Sequence, residues 1–151
     1  MTPVDRAEVL VAGYALRTTT NAAEADPATA GLPGLWRRAL DPDAFTRVTG
    51  RLDDRMYAVL TDYESDHRGA YTQVVGVAVG DPGGAGGLTV VRVPAARCLL
   101  RTVRGPMPRA LITAWQDIWR HTDAGAEPAR AFTTDLEVHH AGGADIYLAV
   151  H

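Results

Sequence analysis

Apolar and polar side chains alternate over residues 9–18, which predicts a β-strand. A polar, alanine-rich stretch at 19–31 reads as a loop. Leu32-Pro33-Gly34-Leu35-Trp36-Arg37-Arg38-Ala39-Leu40 follows as a short helix, with Pro33 in the first turn, where its missing N–H costs nothing. Asp41 and Pro42 can open a further turn reaching Phe45. Residues 56–64 and 71–79 predict two strands joined by the polar turn Ser65-Asp66-His67-Arg68-Gly69. The glycine-rich segment 81–87 is the clearest break in the chain and reads as a linker. It lacks the spacing and the following Lys-Ser/Thr pair of a phosphate-binding loop.

Beyond the break the same plan returns. Residues 88–103 predict one long strand, bent near Pro94 because an interior proline removes a ladder donor. Over 107–120, Leu111, Ala114, Trp115, Ile118 and Trp119 recur at helical spacing. Residues 129–139 and 144–150 close the pattern as two strands around Ala141-Gly142-Gly143. A β-α-β-β unit repeated twice predicts an α+β fold with a mainly antiparallel sheet and two main helices. The halves cover about 9–80 and 88–150 of a single domain, 1–151.

Short echoes support the duplication. Ala12 to Thr18 resembles Ala96 to Thr102, and Ala58 to Glu64 resembles Ala131 to Glu137. The second echo places Glu64 and Glu137 in equivalent positions. Along 131–138 one face carries Phe132, Thr134, Leu136 and Val138, the natural core set, and the other carries Thr133, Asp135 and Glu137. Glu64 and Glu137 are therefore expected to look away from the helices. Glu137, flanked by Leu136 and Val138, has two readings: a solvent-facing acid on a wet sheet face, or a carboxylate in a half-apolar cleft, serving as counter-ion or as acid and base.

Composition removes several function classes. The balance is mildly acidic, with net charge −3 and no basic block, which argues against direct nucleic-acid binding. Basic residues are all arginine. The lone Cys98 excludes an internal disulfide and suits a reducing compartment, and the first sixteen residues lack the apolar run of a secretory leader. No run approaches the roughly 20 apolar residues needed to cross a bilayer, so a cytoplasmic protein without membrane contact is expected. His139 and His140 are adjacent and should face opposite ways, a poor pair for one ion. No metal and no cofactor is expected. Trp115 and Trp119, four apart, read first as core. Tyr14, Tyr57, Tyr63, Tyr71 and Tyr147 all fall in predicted strands, and their apolar faces with one polar tip suit a pocket for flat ligands.

Leu35-Trp36, Tyr57-Ala58-Val59, Thr61-Asp62-Tyr63-Glu64-Ser65-Asp66-His67, Gly69 with Tyr71-Thr72, and Val75-Gly76 follow a known order. It continues through Val103-Arg104-Gly105-Pro106, Ala114-Trp115-Gln116-Asp117-Ile118-Trp119, Thr133-Thr134-Asp135-Leu136-Glu137-Val138 and Asp145-Ile146-Tyr147-Leu148-Ala149. Together these resemble the stand-alone branch of the gyrase-inhibitor-like (GyrI-like) family, the ligand module also fused to AraC- and MerR-type regulators. The resemblance implies two β-α-β-β modules about a pseudo-twofold axis. It also implies a central groove for flat hydrophobic, often cationic, small molecules. Carried over, the groove glutamate is Glu137 and its aromatic lining is Tyr147, Trp115, Trp36 and Tyr71, with Trp119 and Tyr14 as further candidates. Some stand-alone members are similar to hydrolases that open the cyclopropane of yatakemycin-type DNA alkylators. That reading makes Glu137 the base, Glu64 its alternative or helper, and Tyr147 the group that orients water or the developing phenolate. The rival reading is a module that only binds or sequesters such molecules.

Overall fold

In a computed structural model, described for residues 1–18 and 20–151, one antiparallel sheet of eight strands carries two main helices on one face. The strands are β1 (Thr2–Arg6), β2 (Val9–Arg17), β3 (Met56–Thr61), β4 (Thr72–Val79), β5 (Thr89–Val93), β6 (Ala96–Val103), β7 (Thr134–His140) and β8 (Gly143–Ala149). The helices are the single turn α1 (Asn21–Glu24), then α2 (Leu32–Leu40) and α3 (Arg109–Asp123). Strand order across the sheet is β1-β6-β8-β7-β3-β4-β2-β5. The halves β2-α2-β3-β4 and β6-α3-β7-β8 therefore meet where β3 pairs with β7.

Register makes the symmetry explicit. One rung crosses six strands as Tyr14, Val75, Ala58, Glu137, Ile146 and Arg101. Its centre lies between Ala58 and Glu137, so Val75 answers Ile146 and Tyr14 answers Arg101. The short sequence echoes misalign the halves: the position opposite Glu137 is Ala58, and Glu64 lies beyond the end of β3.

All six residues of the rung point to the helix face, because side chains at paired positions share a face. There α2 packs Leu35 and Ala39 on Ala58 and Val75. Helix α3 packs Ala114, Trp115 and Ile118 on Leu60, Ala144, Ile146 and Leu148. No side chain of its own N-cap holds the start of α2; the Glu24 carboxylate reaches across instead, accepting from Gly31 N (2.9 Å) and Leu32 N (3.0 Å). An anion at that position satisfies orphan donors and the helix dipole together. The stretch expected to be only a loop thus contains α1, whose glutamate caps the start of α2. Thr19 lies outside the described residues.

The opposite face holds a second core of Val11, Tyr57, Val59, Val74, Ala78, Val93, Leu136 and Val138. No helix among the described residues covers it; the sheet covers itself. β5 is one edge strand and β6 is next to the other edge, yet only residues 94–95 separate them. The three steps from Val93 to Ala96 span at most about 11 Å, so the sheet must coil until its ends meet. Arg6 of β1 clamps that corner, donating to Pro94 O (2.8 Å) and Thr134 O (3.0 Å).

Three expectations change here. The strand expected over 88–103 is broken into β5 and β6, with Pro94 ending the first. β1 was not expected; its Pro3 marks the edge position where a missing donor is harmless. Residues 129–133 are not strand: Phe132 turns the chain at φ 52, and β7 starts at Thr134.

Gly13 and Gly76 face each other across β2 and β4, and a Cβ on Gly76 would press into the Ala12 carbonyl. The substitution Gly76→Ala should lower stability by roughly 2–4 kcal/mol, through backbone displacement in the sheet centre. Urea unfolding should show the midpoint fall with little change in slope; an unchanged midpoint would mean the strands separate freely.

Candidate functional site

Glu137 leaves β7 on the helix face, beneath the space between α2 and α3, and only 3% of it is exposed. Its Oε2 accepts the Trp115 indole N–H at 2.7 Å. Its Oε1 lies 2.8 Å from His139 Nε2. The His139 ring meets the half-buried Trp36 ring edge-on, at 4.8 Å between centroids. Tyr71, one residue before β4 and nearly buried, joins Trp115 in the core beneath α3. Burial, with the charges of Glu24 and Glu137 behind it, holds the Tyr71 phenol protonated far above its ordinary range. The fold thus collects Glu137, Trp115, Trp36 and Tyr71 in one place. It adds His139, which sequence reasoning weighed only as a metal ligand.

The expected facing of Glu137 is overturned. Glu137 is paired with Ile146, whose side chain lies in the α3 core, so the acid looks toward the helices and not away from them. The cause is that both faces of β7 are buried, Leu136 and Val138 belonging to the second core. Alternation alone then cannot say which face carries the helices.

Tyr147 is corrected by the same register. It pairs with Leu136 and Leu100, on the opposite side of the sheet from Glu137, and packs against the second core. Glu64 is also displaced from the site. It is exposed, Asp62 turns the chain at φ 51 just before it, and its N–H donates to Ala70 O at 2.8 Å. Tyr14 shares the rung of Glu137 but stands three strands away. Its hydroxyl donates to Ala44 O at 2.6 Å, and its ring is packed by Phe45 and Arg38, beside a separate hollow of about 360 Å³. Trp119 lies one turn beyond Trp115 and stacks parallel to His67 at 6.3 Å.

A second acid was missed as a partner of the first. Asp135, wholly buried on the same face, accepts from Tyr63 OH (2.6 Å), Arg130 Nη2 (2.7 Å) and Ala149 N (2.8 Å). Burial first, and then the Asp135 charge, push the Tyr63 phenol well above its usual value. The available signal was the period of two linking Asp135 to Glu137; its partner Tyr63 is 72 residues away in the chain and gave no local hint. The two histidines do face opposite ways, His139 to Glu137 and His140 to Asp145 (3.4 Å). Cys98 is buried, which pushes its thiol up and leaves it a small apolar filler.

With this geometry in hand, residues 4–150 match the family described as Cass2, integron-associated effector binding protein. None of the curated proteins matches this chain. Among solved structures, integron cassette protein VCH_CASS2 from the mobile metagenome of Vibrio cholerae is 27% identical, with a TM-score of 0.82 over 99% of this chain and 95% of its own. SAV2435, solved bound to tetraphenylphosphonium, is 11% identical, with a TM-score of 0.78 over 99% and 93%. EcmrR, in a complex with DNA, is 12% identical, with a TM-score of 0.53 over 99% of this chain and 56% of its own. The last two share the fold alone at those identities, and the GyrI-like architecture is common to all of them. No helix among the described residues is long and apolar enough to cross a membrane. By the match over nearly its whole length, the chain belongs to the Cass2 family of integron-associated effector binding proteins.

Proposed function

We propose that this protein binds hydrophobic aromatic cations in the groove between α2 and α3. Glu137 supplies the counter-charge, and Trp36, Trp115 and Tyr71 supply the apolar walls. The observation that carries this reading is the buried carboxylate itself. Taking a carboxylate out of water costs several kcal/mol unless a charge or good donors compensate it. Here one indole N–H and one imidazole nitrogen do so, inside an aromatic setting. A large cation with diffuse charge loses little hydration on entering such a site and gains the full attraction of the acid. Cation–aromatic contact adds to this. Entry parts the Trp36–His139 contact, so His139 acts as the internal stand-in that the ligand replaces. The tetraphenylphosphonium bound to a protein of the same fold supplies a direct probe.

Hydrolysis of a cyclopropane is the finer alternative. It keeps Glu137 as base, but Tyr147 lies on the other face of the sheet and Glu64 is exposed. Neither group stands where a water activated by Glu137 would need it, so binding is the reading we adopt.

Titration with tetraphenylphosphonium, followed by tryptophan fluorescence and calorimetry, should show saturable binding. Glu137→Gln should weaken it at least tenfold, corresponding to about 1.4 kcal/mol or more for a charge-assisted contact; equal affinity would remove Glu137 from the site. His139→Ala should act in the opposite direction on binding, freeing the carboxylate and raising affinity severalfold while the melting temperature falls. A loss of both would make His139 a wall of the groove instead of the group displaced. Incubation with a cyclopropane-bearing alkylator, read by chromatography with mass detection, should return the compound unchanged. Catalytic gain of water, lost in Glu137→Gln, would replace binding with hydrolysis as the function.

A further inference from the structure

A positive charge sits at the other end of the same floor. Arg130 is 8% exposed and gives one guanidinium nitrogen, Nη2, to Asp135. Its Nε and Nη1 are buried and have no hydrogen-bond partner among the described residues. Buried donors without partners are rare and costly, and Nη1, at the far end of the guanidinium, is a charged donor suited to an oxygen acceptor. The guanidinium lies over Phe132, 4.4 Å from the ring centre, and 5.8 Å from the Trp115 ring. Glu137 and Arg130 therefore meet the same indole, one at its N–H and the other over its ring.

The surroundings keep this end aromatic. Phe132 holds its backbone at φ 52, an unusual conformation for a bulky residue, with its ring over Arg130. His67 stacks on both Trp119 and Phe132. Burial, with Arg68 and Arg130 nearby, pushes His67 below its usual value, so it remains neutral near pH 7. Asp135 is already committed, its two oxygens taken by Tyr63, Arg130 and Ala149. Beside these open Arg130 donors, the Nδ1 of His67 is also buried without a partner among the described residues.

We propose that the groove is built for amphoteric ligands: flat aromatic cations that also carry a carboxylate or carbonyl oxygen. The cationic part goes to Glu137 and the oxygen to Nη1 of Arg130. This rests on the binding function proposed above and narrows it, since a plain lipophilic cation uses only the Glu137 end. Asp135 and Glu137 are two residues apart on one strand, about 7 Å. An aromatic system of two or three fused rings spans such a separation while lying along Trp115.

The test compares two dyes with one scaffold, a diaminoxanthylium bearing a free carboxyphenyl group and its methyl ester, with tetraphenylphosphonium as the reference cation. The wild-type protein should bind the free acid at least fivefold more tightly than the ester. Arg130→Lys keeps a cation beside Asp135 but has no second nitrogen in place of Nη1. It should erase that preference, so that acid and ester bind alike. Equal binding of acid and ester by the wild-type protein overturns the inference without any variant, and so does a preference that survives in Arg130→Lys. Binding of tetraphenylphosphonium alone, with neither dye, overturns the inference and leaves the cation site standing. Failure of all three ligands overturns both.

Discussion

A two-residue corner governs this molecule. Because residues 94–95 must carry the chain from one edge strand to the strand beside the opposite edge, the sheet cannot lie open. It coils, and its concave side becomes a core of valines, Leu136 and Tyr57, with no helix required. The helices are then free to crowd the convex side. The central strands β3 and β7 are covered on both faces as a result. A polar residue deep on the helix side of β7 is largely screened from bulk water. Asp135 and Glu137 sit at that place, and each is buried and partnered as a consequence of the coil.

Duplication supplies the frame, and departure from it supplies the chemistry. Strands, helices and the tryptophans Trp36 and Trp115 recur about the midpoint of the central rung, whereas acid and methyl stand opposite each other there. Two facing carboxylates at that spacing would repel, and one would keep a proton. With Ala58 in the first half, Glu137 has room and a single sign. Helix α2 is capped at its start by Glu24, and α3 is tied to β7 by the indole bond to Glu137.

Much of this was legible in the chain. Residues 9–17, 32–40 and 72–79 have the local patterns of the strand, helix and strand they form, since each buries one consistent face or is bounded by proline, glycine or turn residues. Glu137, Trp36, Trp115 and Tyr71 were also nominated as a set and lie together. What failed was facing and pairing. Alternation marks the polar side of a strand only when one side is wet, and β7 has no wet side, so Glu137 and Tyr147 were placed together though they lie back to back. The echo linking Glu64 to Glu137 matched similar letters six positions from the structural register, in which Ala58 faces Glu137. Arg130 and Asp135 could not be paired with Tyr63 from sequence, because contact across 72 residues leaves no periodic trace.

The methyl of Ala58 has a consequence for how a guest is read. A scaffold with near-twofold symmetry would let an unsymmetrical molecule settle in two equivalent ways, half the population turned over relative to the rest. Turned over here, a guest's charged end would rest on an aliphatic patch and its far end on the acid. The asymmetry of one side chain therefore breaks a degeneracy that the backbone preserves, and in the binding we propose a single orientation follows from a missing carboxylate as much as from the one that is present.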